Sequence, residues 1–188
     1  MKKGSKLYLK AKKIILGGNM LLSKRPEMTL PGSSWPNYYS SAKNHIVWDL
    51  DNKKYIDMMM FVGQNILGYA NKKIDTFVTK FSNKGNITSL NCPEEVELAD
   101  KLIKLHPWAN MAKFARSGGE ANAISIRIAR AATNKDHVAI CGYHGWHDWY
   151  LSVNLKGKEK LSKHLLPGLE PKGVPKKLKG LTHPFKYG

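Results

Sequence analysis

The residues best able to do chemistry fall in two short runs, Arg116-Ser117-Gly118-Gly119-Glu120 and Gly142-Tyr143-His144-Gly145-Trp146-His147-Asp148. In the first, Ser117 and Glu120 have the S-x-x-E spacing of a capping box, which sets the first turn of a helix on the two glycines. The leading backbone amides of a helix have no partner inside it and the helix dipole makes that end partly positive, so an anion is favoured there. Gly118 and Gly119 carry no side chain to hold the anion off, the Ser117 hydroxyl adds a donor, and Glu120 must point away because like charges repel. The same residues also read simply as a capped helix with a flexible lead-in. In the second run, His144, His147 and Asp148 offer three ligand groups to a metal, although no further His or Cys pair completes a zinc pattern. A third acidic group, Asp49, Asp51 and Asp57, can also be read as metal ligands. Its D-x-D alternation follows the strand period, which fits solvated turn and strand carboxylates better.

The elements that must position these runs lie between Phe114 and Trp149. Lys113 to Ala115 is a short mixed run that can end a buried strand, broken at once by the glycines. A helix follows, with Ala121, Ile124, Ile128 and Ala131 on one stripe and Arg127 and Arg130 off it. His137 to Cys141 is a second β-prone run, and it opens into the loop Gly142-Tyr143-His144-Gly145. Ligands of open α/β sheets collect at the carboxyl edge of the strands, so both runs are expected on one rim.

FARSGGEANAISIRIARAATNK followed by YHGWHD resembles the class III aminotransferases of the fold-type-I pyridoxal-phosphate enzymes, most closely the glutamate-1-semialdehyde aminomutase-like branch. VWDLDNKKYID is similar to the same family's V-x-D-x-D-G-x-x-Y-I-D signature, with Asn52 where glycine is usual; asparagine tolerates the left-handed conformation. The resemblance implies an α/β fold: the N-terminal part of a fold-type-I transferase, with a small-domain segment followed by an incomplete, mainly parallel sheet and flanking helices. It divides the chain into 1–65, the arm and hairpin of the small domain, and 66–188, an incomplete large cofactor-binding domain in which 156–188 is a loop-rich connection.

The implied cofactor is pyridoxal 5'-phosphate. Ser117, Gly118 and Gly119 would hold its phosphate, Tyr143 would cover its ring, and His144 would line the same pocket. The family turn is S-G-T-E-A, so Gly119 keeps the amide but loses a hydroxyl, which weakens the phosphate grip. The Schiff-base lysine and the carboxylate on the pyridine nitrogen are expected beyond Gly188, so no catalytic residue is assigned here and the chain alone is expected to be inactive. The resemblance further implies a small-molecule amino donor, a carbonyl acceptor and a homodimer. Two readings compete with it, a metal-binding hydrolase-type site at His144, His147 and Asp148, and a basic binding module.

Composition bounds these readings. The chain has 188 residues and 42% hydrophobic content, enough for a sizeable core. The longest apolar stretch, Met58 to Val62, is too short to span a bilayer, and the Lys-rich start lacks the apolar centre of a secretory signal, so the cytoplasm is expected. Cys92 and Cys141 stand far apart and suggest no disulfide framework. Asn86-Ile87-Thr88 matches a glycosylation acceptor, which without secretion is a chance match. Lys plus Arg outnumber Asp plus Glu by 31 to 14, giving a net charge of +17. The lysines concentrate in Lys2–Lys13 and Lys156–Lys186, without the basic and aromatic stripe that tracks a nucleic acid, so no nucleic-acid partner is expected.

In chain order, Ser5–Leu16 is expected as a helix with Leu7, Ala11, Ile14 and Ile15 inward, ended by Gly17-Gly18. Leu21–Tyr39 reads as a loop with a turn at Pro31-Gly32-Ser33-Ser34. A hairpin is expected from His45–Leu50 and Lys53–Asp57 around Asp51-Asn52. Met58–Gly68 follows, its methionines read as core filling. Helices are expected over Asn71–Lys84 and Pro93–Leu105. After Leu155, Pro167-Gly168, Pro171, Gly173, Pro175 and Gly180 punctuate a Lys-rich connection.

Overall fold

A computed structural model describes residues 1–29, 35–85, 87–157 and 170–188. The Pro31–Ser34 turn, Asn86 and Pro167-Gly168 lie outside the described residues. The chain divides into two compact units, Met1–Leu90 and Asn91–Gly188. Asn44 and Tyr69 bridge their backbones and the Tyr69 hydroxyl donates to Asp57, which ties the residues after the hairpin back onto it.

In the first unit, α1 (Lys3–Ile14) buries Gly4, Tyr8 and Ala11. Of the residues expected inward Ala11 is buried and Ile15 partly so, whereas Leu7 is 41% and Ile14 70% exposed. Polar anchoring decides the rotation. The Tyr8 hydroxyl donates to Glu27 Oε2 at 2.9 Å, and Lys12 pairs with the same carboxylate at 3.5 Å. Glu27 sits on the short helix α2 (Pro26–Thr29).

Strands β1 (Tyr39–Lys43), β2 (Ile46–Asp49) and β3 (Lys54–Ile56) form an antiparallel sheet in that order. Val47 stands opposite Ala42 on one side and Tyr55 on the other. The β2–β3 turn has Asn52 at φ 61°, as its position in the turn demands. Asp49 holds that turn. One carboxylate oxygen accepts the amides of Asp51 and Lys53, each at 2.9 Å, and the other accepts the Tyr55 hydroxyl at 3.0 Å. Asp49 is only 5% exposed, so it is a buried structural carboxylate rather than the solvated one expected. Burial pushes its pKa up, but the Lys53 amide, the Tyr55 hydroxyl, the Asp51 amide and the Lys2 charge outweigh burial and leave it below the ordinary value.

Asp57 does the same work for the next turn, accepting the amides of Met59 and Met60 at 2.9 and 3.0 Å and the Tyr69 hydroxyl. The chain then passes through left-handed backbone at Met60, Phe61 and Val62 (φ 42°, 50° and 58°). Such a turn fans its side chains outward, so Met58 is 87% and Val62 78% exposed and the methionines do not fill a core. Helix α3 (Lys72–Ser82) starts where Asn71 Oδ1 accepts the amides of Lys73 and Ile74 at 3.1 and 3.4 Å.

The second unit begins with α4 (Pro93–Leu105), which has proline in its first turn together with Glu94 and Glu95 at the positive end of the dipole. Lys113–Ala115 is not a strand, because it finds no ladder partner among the described residues. Helix α5 (Gly118–Thr133) follows, and the chain leaves it through Asn134 at φ 52°. Strand β4 (Val138–Ile140) pairs in parallel with β5 (Thr182–Pro184), a strand inside the connection that residue periodicity did not announce.

The core is Ile140, Trp149, Tyr150 and Val153, with Ala123, Ile126, Val138 and Leu151 packed against it. Trp149 and Tyr150 belong to the short helix α6 (Asp148–Leu151), and the Thr182 hydroxyl donates to the Trp149 carbonyl at 2.7 Å. Thus α5 turns Ala123 and Ile126 inward rather than the expected stripe, and Ile128 is 58% exposed. The helix is apolar on more than one face, and the face that packs is the one adjoining Trp149 and Tyr150.

Candidate functional site

The start of α5 is a closed capping box. Ser117, in extended backbone at φ −138° and ψ 157°, accepts the Glu120 amide on its hydroxyl at 3.3 Å. The Glu120 carboxylate reaches back to the amides of Arg116 and Ser117 at 2.9 and 3.1 Å, which takes its charge away from the helix mouth. This arrangement leaves the Gly118 and Gly119 amides without an acceptor among the described residues. A Cβ built on Gly118 would meet nothing within 4 Å. The cap and the anion site are therefore compatible, since the box satisfies amides other than those at the mouth.

The loop after β4 is brought onto this mouth. Gly142 and Gly145 adopt φ 84° and 101°, and a Cβ on Gly145 would lie 3.0 Å from Gly119 Cα. Asn122, on the first turns of α5, donates its amide to the His144 carbonyl at 3.3 Å. The Gly142 carbonyl accepts the Tyr150 hydroxyl at 3.2 Å and faces His144 Nδ1 at 3.0 Å. Tyr150 is fully buried, and burial pushes its pKa up to about 12, with the His144 amide opposing and Tyr143 adding to the rise. Its phenol therefore stays protonated and keeps donating.

Ser117, Gly118 and Gly119 thus share one mouth, and the 142–147 loop crosses it at Gly119. Tyr143 is 53% exposed and braced edge-on by Tyr150, with ring centroids 6.0 Å apart. The His144 ring packs on Tyr150 and Trp149 at 5.9 and 6.2 Å. The imidazole that lies on the glycine turn belongs to His147. A Cβ on Gly119 would be 2.8 Å from its Cε1 and 2.9 Å from its Nδ1. Sequence reading placed His147 only in the metal alternative, and a single sequence carries no signal that couples it to Gly119. Asn122 was missed for the same reason.

The metal alternative is not assembled. His144 Nδ1 faces the Gly142 carbonyl while His147 Nδ1 lies against Gly119, and among the described residues no group of three His, Cys, Asp or Glu side chains can hold a metal. Both cysteines are free and exposed.

The family Aminotransferase class-III matches residues 31–178. The 3-aminobutyryl-CoA aminotransferase of Cloacimonas acidaminovorans is 36% identical over 148 residues, covering 78% of this chain and 35% of that protein. The glutamate-1-semialdehyde 2,1-aminomutase of Methanothrix thermoacetophila is 32% identical over 171 residues, covering 90% and 37%. Among solved structures, an omega-transaminase from Sphaerobacter thermophilus is similar with a TM-score of 0.80 at 22% identity, covering 99% of this chain and 42% of its own. A glutamate-1-semialdehyde-aminomutase from Pseudomonas aeruginosa PAO1 gives 0.70 at 17%, covering 98% and 38%. The chain belongs to the class III aminotransferases, and its fold is the N-terminal part of a fold-type-I pyridoxal-phosphate transferase. It spans about a third of the length of the relatives it matches (35% and 37%).

Proposed function

We propose that this chain carries the cofactor-anchoring part of a pyridoxal-5'-phosphate-dependent enzyme that moves an amino group between a small-molecule donor and a carbonyl acceptor. The observation that carries this reading is the pair of unspent amides at Gly118 and Gly119, with the 142–147 loop packed against Gly119. The residues fit the group. The mouth is open at Gly118, Glu120 is turned back, and the positive end of α5 favours a phosphate. Each charge-assisted hydrogen bond to it contributes about 1.5–3 kcal/mol.

In this reading Gly118 and Gly119 bind phosphate through their amides. Ser117 spends a lone pair on Glu120 and keeps its O–H to donate to the same anion. Tyr143 offers a ring face, and its tilt is set by Tyr150. Tyr150 orients the loop by holding the Gly142 carbonyl. When bound, the pyridine ring supplies the electron sink that amino-group transfer requires. We assign no lysine of this chain to covalent chemistry.

The same reading extends to an intact protein that acts in the cytoplasm as a homodimer. Exposed Ile66 and Leu67 (80% and 67%) support a covered face, and no described helix is long and apolar enough to cross a membrane. The test is an absorbance titration of the intact protein with pyridoxal 5'-phosphate, followed by a panel of amino donors with a keto acceptor. A saturable near-visible band and donor-dependent turnover are expected. Absence of cofactor binding by the intact wild type overturns the reading.

A further inference from the structure

Gly119 and His147 are sterically one unit. A Cβ at position 119 would stand 2.8 Å from His147 Cε1 and 2.9 Å from Nδ1, closer than real Cβ contacts allow, so a side chain at 119 and this placement of the ring exclude each other. Gly145 clears the same volume from the loop side, because its own Cβ would approach Gly119 Cα to 3.0 Å and His147 Nδ1 to 3.9 Å. The ring is held in orientation as well as in place. It stacks on Trp146 with centroids 5.0 Å apart and planes 14° apart. Its backbone caps α6, where the His147 carbonyl accepts the amides of Tyr150 and Leu151 at 2.9 and 3.1 Å, so the ring is rooted in the core helix. Despite this fixation, Nδ1 is buried with no hydrogen-bond partner among the described residues. A buried ring nitrogen without a partner is costly unless a ligand completes it. On the same turn, the Gly118 and Gly119 amides also have no acceptor among the described residues.

We propose that His147 is a phosphate-binding residue, donating from Nδ1 to the cofactor phosphate beside the Gly118 and Gly119 amides, and that position 119 is glycine so that the ring can sit there. The proposal rests on the cofactor reading above. It gives the glycine turn a side-chain donor in place of the hydroxyl missing from Gly119, supplied by a residue on the other side of the β4 strand.

The test uses equilibrium binding of pyridoxal 5'-phosphate and of pyridoxal, which lacks the phosphate, to the intact protein, with the ³¹P resonance of the bound cofactor as a second readout. His147→Ala is expected to weaken pyridoxal 5'-phosphate binding about 10- to 100-fold, the loss of one charge-assisted hydrogen bond, and to leave pyridoxal binding unchanged. His147→Asn, which keeps an N–H near the Nδ1 position, is expected to restore most of the loss. Gly119→Ala, which displaces the ring, is expected to match His147→Ala, and the double variant to be no worse than either single change. Retained pyridoxal binding shows that each variant is folded. If the wild type prefers the phosphorylated cofactor and His147→Ala keeps that preference, this proposal alone is overturned. Multiplicative losses in the double variant overturn it too. If the wild type binds both compounds equally, the phosphate reading fails and takes this proposal with it.

Discussion

The β2–β3 turn and the mouth of α5 are both short polar turns whose residues can do chemistry, and they differ in what is left over. At the hairpin, Asp49 accepts two amides and a phenol, and Asp57 accepts two amides and a second phenol. Both carboxylates are used up in holding the chain. At α5 the capping box is equally complete, yet the Gly118 and Gly119 amides and His147 Nδ1 have no partner among the described residues. Polar groups that are spent locally mark structure, whereas fixed polar groups with nothing to bond, when gathered on one turn, fit a place for a ligand. In the sequence the acidic trio also offered ligand groups, and only its D-x-D strand period argued against them.

The strongest way to break the comparison is to remove what holds the second turn in place. Tyr150→Ala should cost about 3–5 kcal/mol, as for a buried aromatic, and should release the Gly142 carbonyl, so denaturant stability and cofactor affinity fall together. Tyr150→Phe should cost only about 1 kcal/mol in the same titration.

Gly118→Val should separate the two turns. It crowds the amides that face the anion, and cofactor affinity should drop about 10- to 100-fold with little change in the thermal midpoint. Asp49→Asn should do the reverse, lowering the midpoint by roughly 4–8 °C while cofactor affinity is unchanged. A loss of affinity in Asp49→Asn, measured by titration, would erase the distinction between spent and unspent groups.

Acid should act on the hairpin carboxylates, and alkali on both turns, because the Tyr55 and Tyr69 phenols bonded to Asp49 and Asp57 are raised as Tyr150 is. The Asp49 and Asp57 values are lowered in the folded state, so their stabilisation is present above the ordinary carboxylate range and is lost as pH falls through the lowered values. The Tyr150 value is raised from 10.0 to about 12, so its stabilisation is complete below 10 and is lost as pH climbs between those values. Following near-ultraviolet circular dichroism across both limits checks this, and Tyr150→Phe should reduce the alkaline limb, leaving the part due to Tyr55 and Tyr69, while the acid limb is unchanged.

The smallest effect is expected at the ring. Tyr143→Ala should raise the cofactor dissociation constant a few-fold, in keeping with a stacking contribution of about 0.5–1.5 kcal/mol, and Tyr143→Phe should be near neutral. Equal, large losses in both would instead make the phenol the working group and would move Tyr143 among the unspent donors.

What the amino-acid sequence determined by itself is local. Ser117 and Glu120 close their box across three positions, Asn52 takes the left-handed turn residue, and Asn71 and Pro93 start α3 and α4, because each depends on backbone groups within a few residues. The family signatures were legible for the same reason, being contiguous. Tertiary structure decided the rest. Tyr8 rather than Leu7 faces inward because Glu27 lies opposite, Ala123 and Ile126 rather than Ile128 meet the core because Trp149 and Tyr150 pack there, and β5 exists because β4 needs a neighbour. A periodic stripe states that a helix has an apolar face, but when several faces qualify, only the partner selects one. Likewise His147 reaches Gly119 through the packing of α6 against α5 and β4, so this contact depends on side chains that touch only when the core closes.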